Sequence, residues 1–333
     1  MSLDASIAVI LINWNGIQDA APALASVRAQ TRAAQEVVVV DNGSVDGSRE
    51  WFQQQPGVQV LANSRNLGFA AAVNRGLAAS SSAYVCLCNL DVRLDAGFLE
   101  AALARAESDP RIGTVAGRLR HPPEGGLTTL DSTGHVLHRS GWVANRDSGH
   151  PDRGQRRHPE EVFGASAAAV LYRRRMLQDV ALDGQVLAED LFAYLEDVDL
   201  DFRARWAGWR CWYEPEAGAS HRRGGSGLHR TSAIERHVVA NRITVYIRNA
   251  PPEWLRGPAL GSALALFTLR AARALLRHPA AALGVMDAVL RLPRSRRERA
   301  RIVGQHRLAD GELARWARPT PWARLLRVSR REA

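Results

Sequence analysis

The strongest constraint on this chain is an alternation that fills its first 90 or so residues. Short apolar runs, "SIAVILIN", "EVVVVDNGS", "GVQVLAN" and "AYVCLCNLDV", are separated by segments with helical spacing, "DAAPALASVRAQ", "VDGSREWFQQQ" and "NLGFAAAVNRGLAAS". A strand that is apolar at every position has no face for water and must be covered on both sides. Strands that alternate with helices meet this need by pairing in parallel, with helices above and below. The predicted fold is α/β, with a mostly parallel central sheet flanked by helices.

Ligands of such sheets bind outside the carboxyl ends of the strands. Four polar segments follow the apolar runs directly: Asn13-Trp14-Asn15, Asp41-Asn42-Gly43-Ser44, Asn63 to Gly68, and Asn89-Leu90-Asp91. No GxGxxG follows the first run, which disfavours a dinucleotide fold.

Composition narrows the chemistry. The 333 residues carry a formal net charge of +10, and every basic side chain among the 44 Lys+Arg is arginine. Lysine Schiff-base chemistry and a Walker lysine are excluded. The charge fits an anionic partner: nucleic acid, a phosphorylated ligand or an acidic membrane leaflet. The arginines are spread over the chain without a recognised nucleic-acid motif, so no nucleic-acid partner is expected. Three cysteines suit a reducing cytoplasm, with Cys86 and Cys88 on one face of a buried strand. "MSLDASIAVILIN" lacks a basic leader and is expected to be a first strand.

From His121 to Glu161 the chain turns rich in Gly, Pro, His and Arg. This predicts a long loop or insertion, with "TLDSTGHVLHRSG" as a hairpin. Beyond about residue 235 the pattern is helical. The uncharged run Gly257 to Leu269 spans about 13 residues, against roughly 20 needed to cross a bilayer. Arg270, Arg273 and Arg277 follow at helical spacing, an interfacial pattern. A solvated basic face on a packed helical subdomain accounts for it equally well.

"FAYLEDVDLDFRARWAGW" crowds Glu196, Asp197, Asp199 and Asp201 together. A calcium loop fails, since the positions that need Gly and Glu hold Phe202 and Gly208. A helix fits: Val198, Phe202 and Trp206 form an apolar stripe. Asp199 precedes Arg203, and Asp201 precedes Arg205, at the favourable four-residue spacing. Glu196 and Asp197 are left without assigned partners. Strand alternation puts Asn89 and Asp91 on one side, where an amide and a carboxylate can share a cation with a diphosphate. His221 opens a loop holding Arg222, Arg223 and three glycines, residue types suited to phosphate.

Taken jointly, "VILINWNG", "VVVVDNGSVDGS", "NLGFAAAVNRG", "LCNLDV", "VFGASAAAVLYRRRML", "FAYLEDVDLDFRARWAGW" and "YEPEAGASHRRGGS" resemble the family 2 glycosyltransferases of GT-A fold, above all the bacterial rhamnosyltransferase-like members. The resemblance covers about the first 230 residues. It implies a GT-A catalytic domain over 1–235, with a nucleotide-binding half to about 115 and an acceptor half after it, and a basic helical extension over 236–333. It implies inverting transfer of a sugar from a nucleoside diphosphate to a glycan or lipid-linked saccharide, at the cytoplasmic face of a membrane. The branch favours dTDP-rhamnose; a UDP-sugar enzyme, or a non-catalytic nucleotide-sugar or glycan-binding module, is the alternative.

Site residues carry over one at a time. Asp197 matches the family's general base, with Glu196 beside it to orient the acceptor or support the base. Asp91 matches the last acid of the DxD motif, and Asn89 replaces the first. His221 matches a histidine that in some members completes the shell of Mg²⁺ or Mn²⁺. Asp41 and Asn42 stand where the family contacts the nucleoside, although two adjacent acids are common there. Asn13, Asn15, Asn66, Gly68, Asn74, Asn89, Arg222 and Arg223 complete the expected donor site.

Overall fold

In the computed structural model, which describes residues 5–223, 231–304, 307–308 and 311–322, the alternation becomes β1 (Ile7–Asn13), α1 (Ile17–Arg28), β2 (Glu36–Asp41), α2 (Ser48–Gln53), β3 (Gln59–Ala62), α3 (Phe69–Ala78) and β4 (Tyr84–Asn89). These four strands pair in parallel, in the order β3-β2-β1-β4. Both faces of β1 and β4 are covered: Val9, Leu11, Cys86 and Cys88 pack on one side, Ile10, Val85 and Leu87 on the other. The two thiols share a face, as their spacing predicts. Burial raises both, Cys88 to about 12, so they are inert apolar fillers.

The sheet then changes character. After β5 (Val92–Leu94) and α4 (Phe98–Glu107) come β6 (Ile112–Arg120), β7 (Leu130–Ser132), β8 (His135–Leu137), β9 (Val143–Asn145), β10 (Glu160–Val162) and β11 (Ala169–Arg173). β11 runs antiparallel to both β4 and β6, so the sheet is mixed. α5 (Arg174–Asp179) and α6 (Glu196–Trp206) lead into the long β12 (Arg210–His221), parallel to β6 and antiparallel to β5 and β10.

Residues 121–161 are more ordered than their composition predicts. β7 adds to the sheet beside β6, and the hairpin is β8–β9, displaced from the expected segment. Asp131, Thr133 and Arg146 are buried here. The Arg146 guanidinium donates to the Thr133 carbonyl at 2.7 Å, which explains how so polar a segment enters the interior.

α6 also departs from expectation at one position. Val198, Phe202 and Trp206 do pack into a core with Leu137 and Phe163. Arg203 bonds Asp199 at 2.8 Å as predicted. Asp201 and Arg205 do not pair. Asp201 faces His135 at 2.6 Å and accepts the Ala165 amide at 3.2 Å. Arg205 reaches Glu161 at 2.6 Å and the Phe163 carbonyl at 2.9 Å. The helix is buried on nearly all sides, so tertiary partners displace the local one.

α7 (Ser232–Asn249), α8 (Gly257–Arg277) and α9 (Leu283–Gly304) close the chain. α9 runs parallel to α7: Arg236 meets Asp287 at 2.6 Å, Arg291 meets Asn241 at 2.9 Å, and Arg248 meets Glu298 at 2.7 Å. Gly257–Leu276, with mean hydropathy 1.4, is long and apolar enough to cross a membrane by length and composition, and only 17% of it is buried. The helix thus carries the apolar stretch past the uncharged run seen in the sequence. Of its expected arginine row, Arg270 stacks over the Trp142 ring at 5.1 Å.

Candidate active site

β4 ends at Asn89, whose amide bonds the Ala168 carbonyl at 2.8 Å. Leu90 turns inward, and the chain re-enters the sheet as β5. In the β5–β12 register Val92 stands opposite His221, and the Arg222 amide donates to the Asp91 carbonyl at 3.0 Å. This pairing brings Asp91 Oδ1 to 3.3 Å from His221 Nε2.

The other ring nitrogen, Nδ1, lies 2.7 Å from Asp131 Oδ2. Burial alone would lower the imidazole, but hydrogen bonds to Asp131 and Asp91 outweigh it and raise it to about 9. Burial pushes Asp131 up, and His221 and Arg223 hold it below the ordinary carboxylate value. Asp131 is the functional candidate that sequence reasoning missed. Its stretch, "TLDSTGHV", has the turn composition of a loop.

The two arginines after His221 are held by acids. Arg223 reaches Asp131 at 2.6 Å. Arg222 reaches Asp19 of α1 at 2.5 Å, and Arg93 contacts the other oxygen of Asp19 at 2.7 Å. The glycines of the predicted loop, Gly224, Gly225 and Gly227, lie outside the described residues.

The residues expected on the nucleoside side form a largely buried amide network. Asn13 Nδ2 donates to Asp41 Oδ2 at 2.7 Å and to Ser48 Oγ at 2.8 Å. The other Asp41 oxygen accepts the amides of Gly43 and Ser44 at 3.1 and 3.0 Å. The Asp41 carboxylate therefore shapes the turn that ends β2. Asn15 accepts the Val45 amide at 2.9 Å. Asn42 donates to the Gly68 carbonyl at 3.1 Å, and Asn66 accepts the Gly68 amide at 2.8 Å. Asn74 stands apart, its amide bonded to both backbone groups of Leu187 at 2.8 and 2.9 Å.

Glu196 and Asp197 open α6 after an unusual loop. Phe192, Tyr194 and Leu195 have φ of 60°, 70° and 70°, left-handed values that a side chain with a β-carbon adopts only under constraint. Asp197 is half-buried; its Oδ2 accepts the Ala167 amide at 3.2 Å and its Oδ1 the Val198 amide at 2.8 Å. Ala167 is followed by Ala168, which bonds Asn89. The small-residue segment "GASAAA" thus links the end of β4 to the Asp197 carboxylate. Glu196 is buried, and its Oε2 has no hydrogen-bond partner among the described residues. Burial, then the neighbouring Asp197 charge, raises it well above the ordinary glutamate value.

Asp91 and His221 can hold a cation, but no group of three or more His, Cys, Asp or Glu suited to one occurs among the described residues. A substrate diphosphate and water would have to complete the shell. The Asp131 contact is the outer support that metal-binding histidines generally have.

Known proteins resemble this arrangement. The model of the family described as glycosyl transferase family 2 matches residues 8–181. An N-acetylglucosaminyl-diphospho-decaprenol L-rhamnosyltransferase of Mycobacterium tuberculosis is 31% identical over 309 residues, 85% of this chain and 93% of that protein. A pre-mycofactocin glycosyltransferase of the same species is 31% identical over 193 residues, 56% of this chain and 37% of its own length. Among solved structures, GalNAc-T7 with UDP, GalNAc and Mn²⁺ superposes with a TM-score of 0.60 at 13% identity, over 87% of this chain and 57% of that one. A mannosyltransferase of Pyrobaculum calidifontis in complex with GDP-Man and Mn²⁺ gives 0.51 at 19% identity, over 90% and 85%. Fold, motif order and relatives agree: the chain has the GT-A fold and belongs to glycosyl transferase family 2, as a rhamnosyltransferase-like member.

Proposed function

We propose that the protein transfers rhamnose from dTDP-rhamnose to a hydroxyl of a lipid-linked saccharide, with inversion at the anomeric carbon. The observation that carries this reading is Asp197: a half-buried carboxylate at a helix start, tied through Ala167 and Ala168 to the strand end that bears Asn89 and Asp91. The rhamnosyltransferase relative supports the sugar transferred and the acceptor class.

In this reading Asp197 takes the proton of the acceptor hydroxyl as its oxygen attacks the anomeric carbon. Burial, then the Asp197 charge, favours the neutral form of Glu196, which in that form can donate a hydrogen bond to the acceptor. When neutral it adds no second negative charge beside the base. Asp91 and His221 would hold Mg²⁺ or Mn²⁺, with Asp131 orienting the imidazole. Such an ion would neutralise charge that develops on the departing diphosphate. The network of Asn13, Asp41, Asn42, Asn66 and Gly68 shapes the pocket for the nucleoside. Arg222 and Arg223 face the diphosphate once they exchange their carboxylate partners for phosphate oxygens.

The acceptor side includes a surface. Leu275, Leu276, Leu283, Met286, Val289 and Leu290 are exposed where α8 turns into α9. Exposed Arg296 and Arg297 continue the same stripe of α9. An apolar patch flanked by arginines suits peripheral docking on an acidic leaflet. That corner lies beside the start of α7, as the Arg236–Asp287 pair and the 3.4 Å approach of Ser232 Oγ to His278 show.

The test is a donor panel of dTDP-rhamnose, UDP-sugars and GDP-mannose, scored by released nucleoside diphosphate with and without Mn²⁺. Preferential, metal-dependent turnover of dTDP-rhamnose is expected. Turnover of a UDP-sugar alone overturns the donor, and no turnover of any donor overturns the enzymatic reading.

A further inference from the structure

The loop that delivers Glu196 and Asp197 does not hold its shape unaided. Its left-handed residues Phe192, Tyr194 and Leu195 are bulky, and Leu195 supplies no side-chain cap to α6. The restraint comes from the C-terminal helices. Asn241, fully buried on α7, points its amide at three carbonyls of the loop: Leu191 at 2.7 Å, Ala193 at 3.0 Å and Tyr194 at 2.8 Å. Its oxygen accepts from Arg291 of α9 at 2.9 Å, which fixes the NH₂ end toward the loop. One turn earlier on α7, the His237 ring stacks on Phe192 at 4.9 Å and 13°. On the opposite side the Ala70 amide of α3 donates to the Phe192 carbonyl at 3.1 Å.

We infer that Asn241 is a positioning residue for the catalytic carboxylate: through its amide, α7 and α9 hold residues 191–195 in the conformation that presents Asp197 to the donor. The inference rests on Asp197 as base, and it makes the C-terminal helices part of the catalytic unit. An amide is the one neutral side chain of this size that offers two hydrogens to clustered carbonyls while accepting from a guanidinium. A leucine there keeps the volume and removes every one of these bonds. An aspartate keeps the shape and sets a carboxylate against three carbonyl oxygens.

The experiment compares Asn241→Leu and Asn241→Asp with Ile302→Ala, a cavity in the same helical layer at the far end of α9. Full-length proteins are followed by hydrogen exchange and by steady-state turnover of dTDP-rhamnose, well below their melting temperatures. Both Asn241 variants should speed exchange of amides 192–197 by about tenfold. Their kcat should fall by about tenfold or more, with donor KM within about twofold. Ile302→Ala should lower the melting temperature and leave exchange at 192–197 and kcat alone. If Asn241→Leu does not fold, Arg291→Met frees the same amide to turn and should shift both readouts in the same direction. Unchanged exchange and kcat in the Asn241 variants overturn the inference, as does an Ile302→Ala that reproduces both effects. Where the wild type turns over no donor, the enzymatic reading fails, and exchange alone still decides whether Asn241 holds the loop.

Discussion

Gly68 and Phe192 touch so closely that a β-carbon on Gly68 would lie 2.6 Å from the Phe192 carbonyl oxygen. Gly68 belongs to the proposed donor-side network through Asn42 and Asn66. Phe192 belongs to the loop that carries Glu196 and Asp197. Gly68 therefore packs against both the carbonyl oxygen and the ring of Phe192, with no room for a β-carbon between the two segments.

Gly68→Ala should accordingly displace the 192–195 loop as well as strain its own turn, since Gly68 has φ of 91°. Melting should fall by on the order of 1–3 kcal/mol in stability, with kcat reduced by about tenfold or more. Calorimetry and turnover on one preparation check both. A variant that loses stability and keeps kcat would show that the two segments are not coupled here.

Asp197→Asn should keep donor binding within about twofold and lower transfer by about three orders of magnitude, because the amide cannot take the hydroxyl proton. Glu196→Gln should be far milder, at about tenfold or less, since glutamine keeps the shape and hydrogen-bonding capacity of a group whose charged form burial already disfavours. Isothermal titration with the donor, beside single-turnover transfer, separates the cases. Near-wild-type turnover in Asp197→Asn sinks the base assignment.

Folding stability should depend on pH through His221. Its folded value, about 9, lies above the ordinary 6.5, because Asp131 and Asp91 outweigh burial. Raised proton affinity stabilises the folded state fully below pH 6.5, and that contribution disappears as pH rises through 9. Without divalent metal, the loss between pH 6 and 9.5 should be on the order of 2 kcal/mol. Urea titrations of wild type and His221→Gln measure it; an equal loss in the variant would assign the effect elsewhere.

Asp131→Asn should weaken Mn²⁺ activation by about 10–100-fold, the usual cost of removing the acid behind a metal-bound histidine. The donor KM measured at saturating Mn²⁺ should change little. Unchanged activation would mean that His221 does not serve the ion.

Paired substitutions Leu276→Asp and Leu290→Asp should abolish sedimentation with acidic vesicles and leave turnover of a water-soluble acceptor intact. Both side chains are exposed, at 86% and 73%, so the fold should tolerate the change. Equal binding of wild type and variant to the vesicles would exclude this corner as the docking surface.

How much was legible in the sequence follows from the range of each interaction. Asn13, Asp41 and Asp91 announce themselves because a buried apolar run must end in something polar. Asp199 and Arg203 lie one turn apart, and local spacing suffices to pair them. Asp201 shows the limit: helical spacing points to Arg205, yet His135, 66 positions upstream, is its partner. Asp131 sits amid turn-forming residues and becomes interior only when β7 joins β6. Asn241 looks like any polar residue on a helix until α7 is laid against the loop it holds. Nothing in the bulky side chains of Phe192, Tyr194 and Leu195 signals left-handed backbone, which tertiary contacts impose.

The β5–β12 pairing also has a consequence for how the protein matures. It is the contact that sets Asp91 beside His221, yet it joins segments about 130 residues apart, a closure that small-loop kinetics cannot provide. As the chain leaves the ribosome, the strand-end residues of the first half emerge long before their imidazole. A nascent chain released before β12 has emerged would carry the parallel layer with half a cation site. If Asp91 and His221 hold an ion as proposed, that capacity is a late event in folding, and metal affinity measured during refolding should report arrival of the final strand.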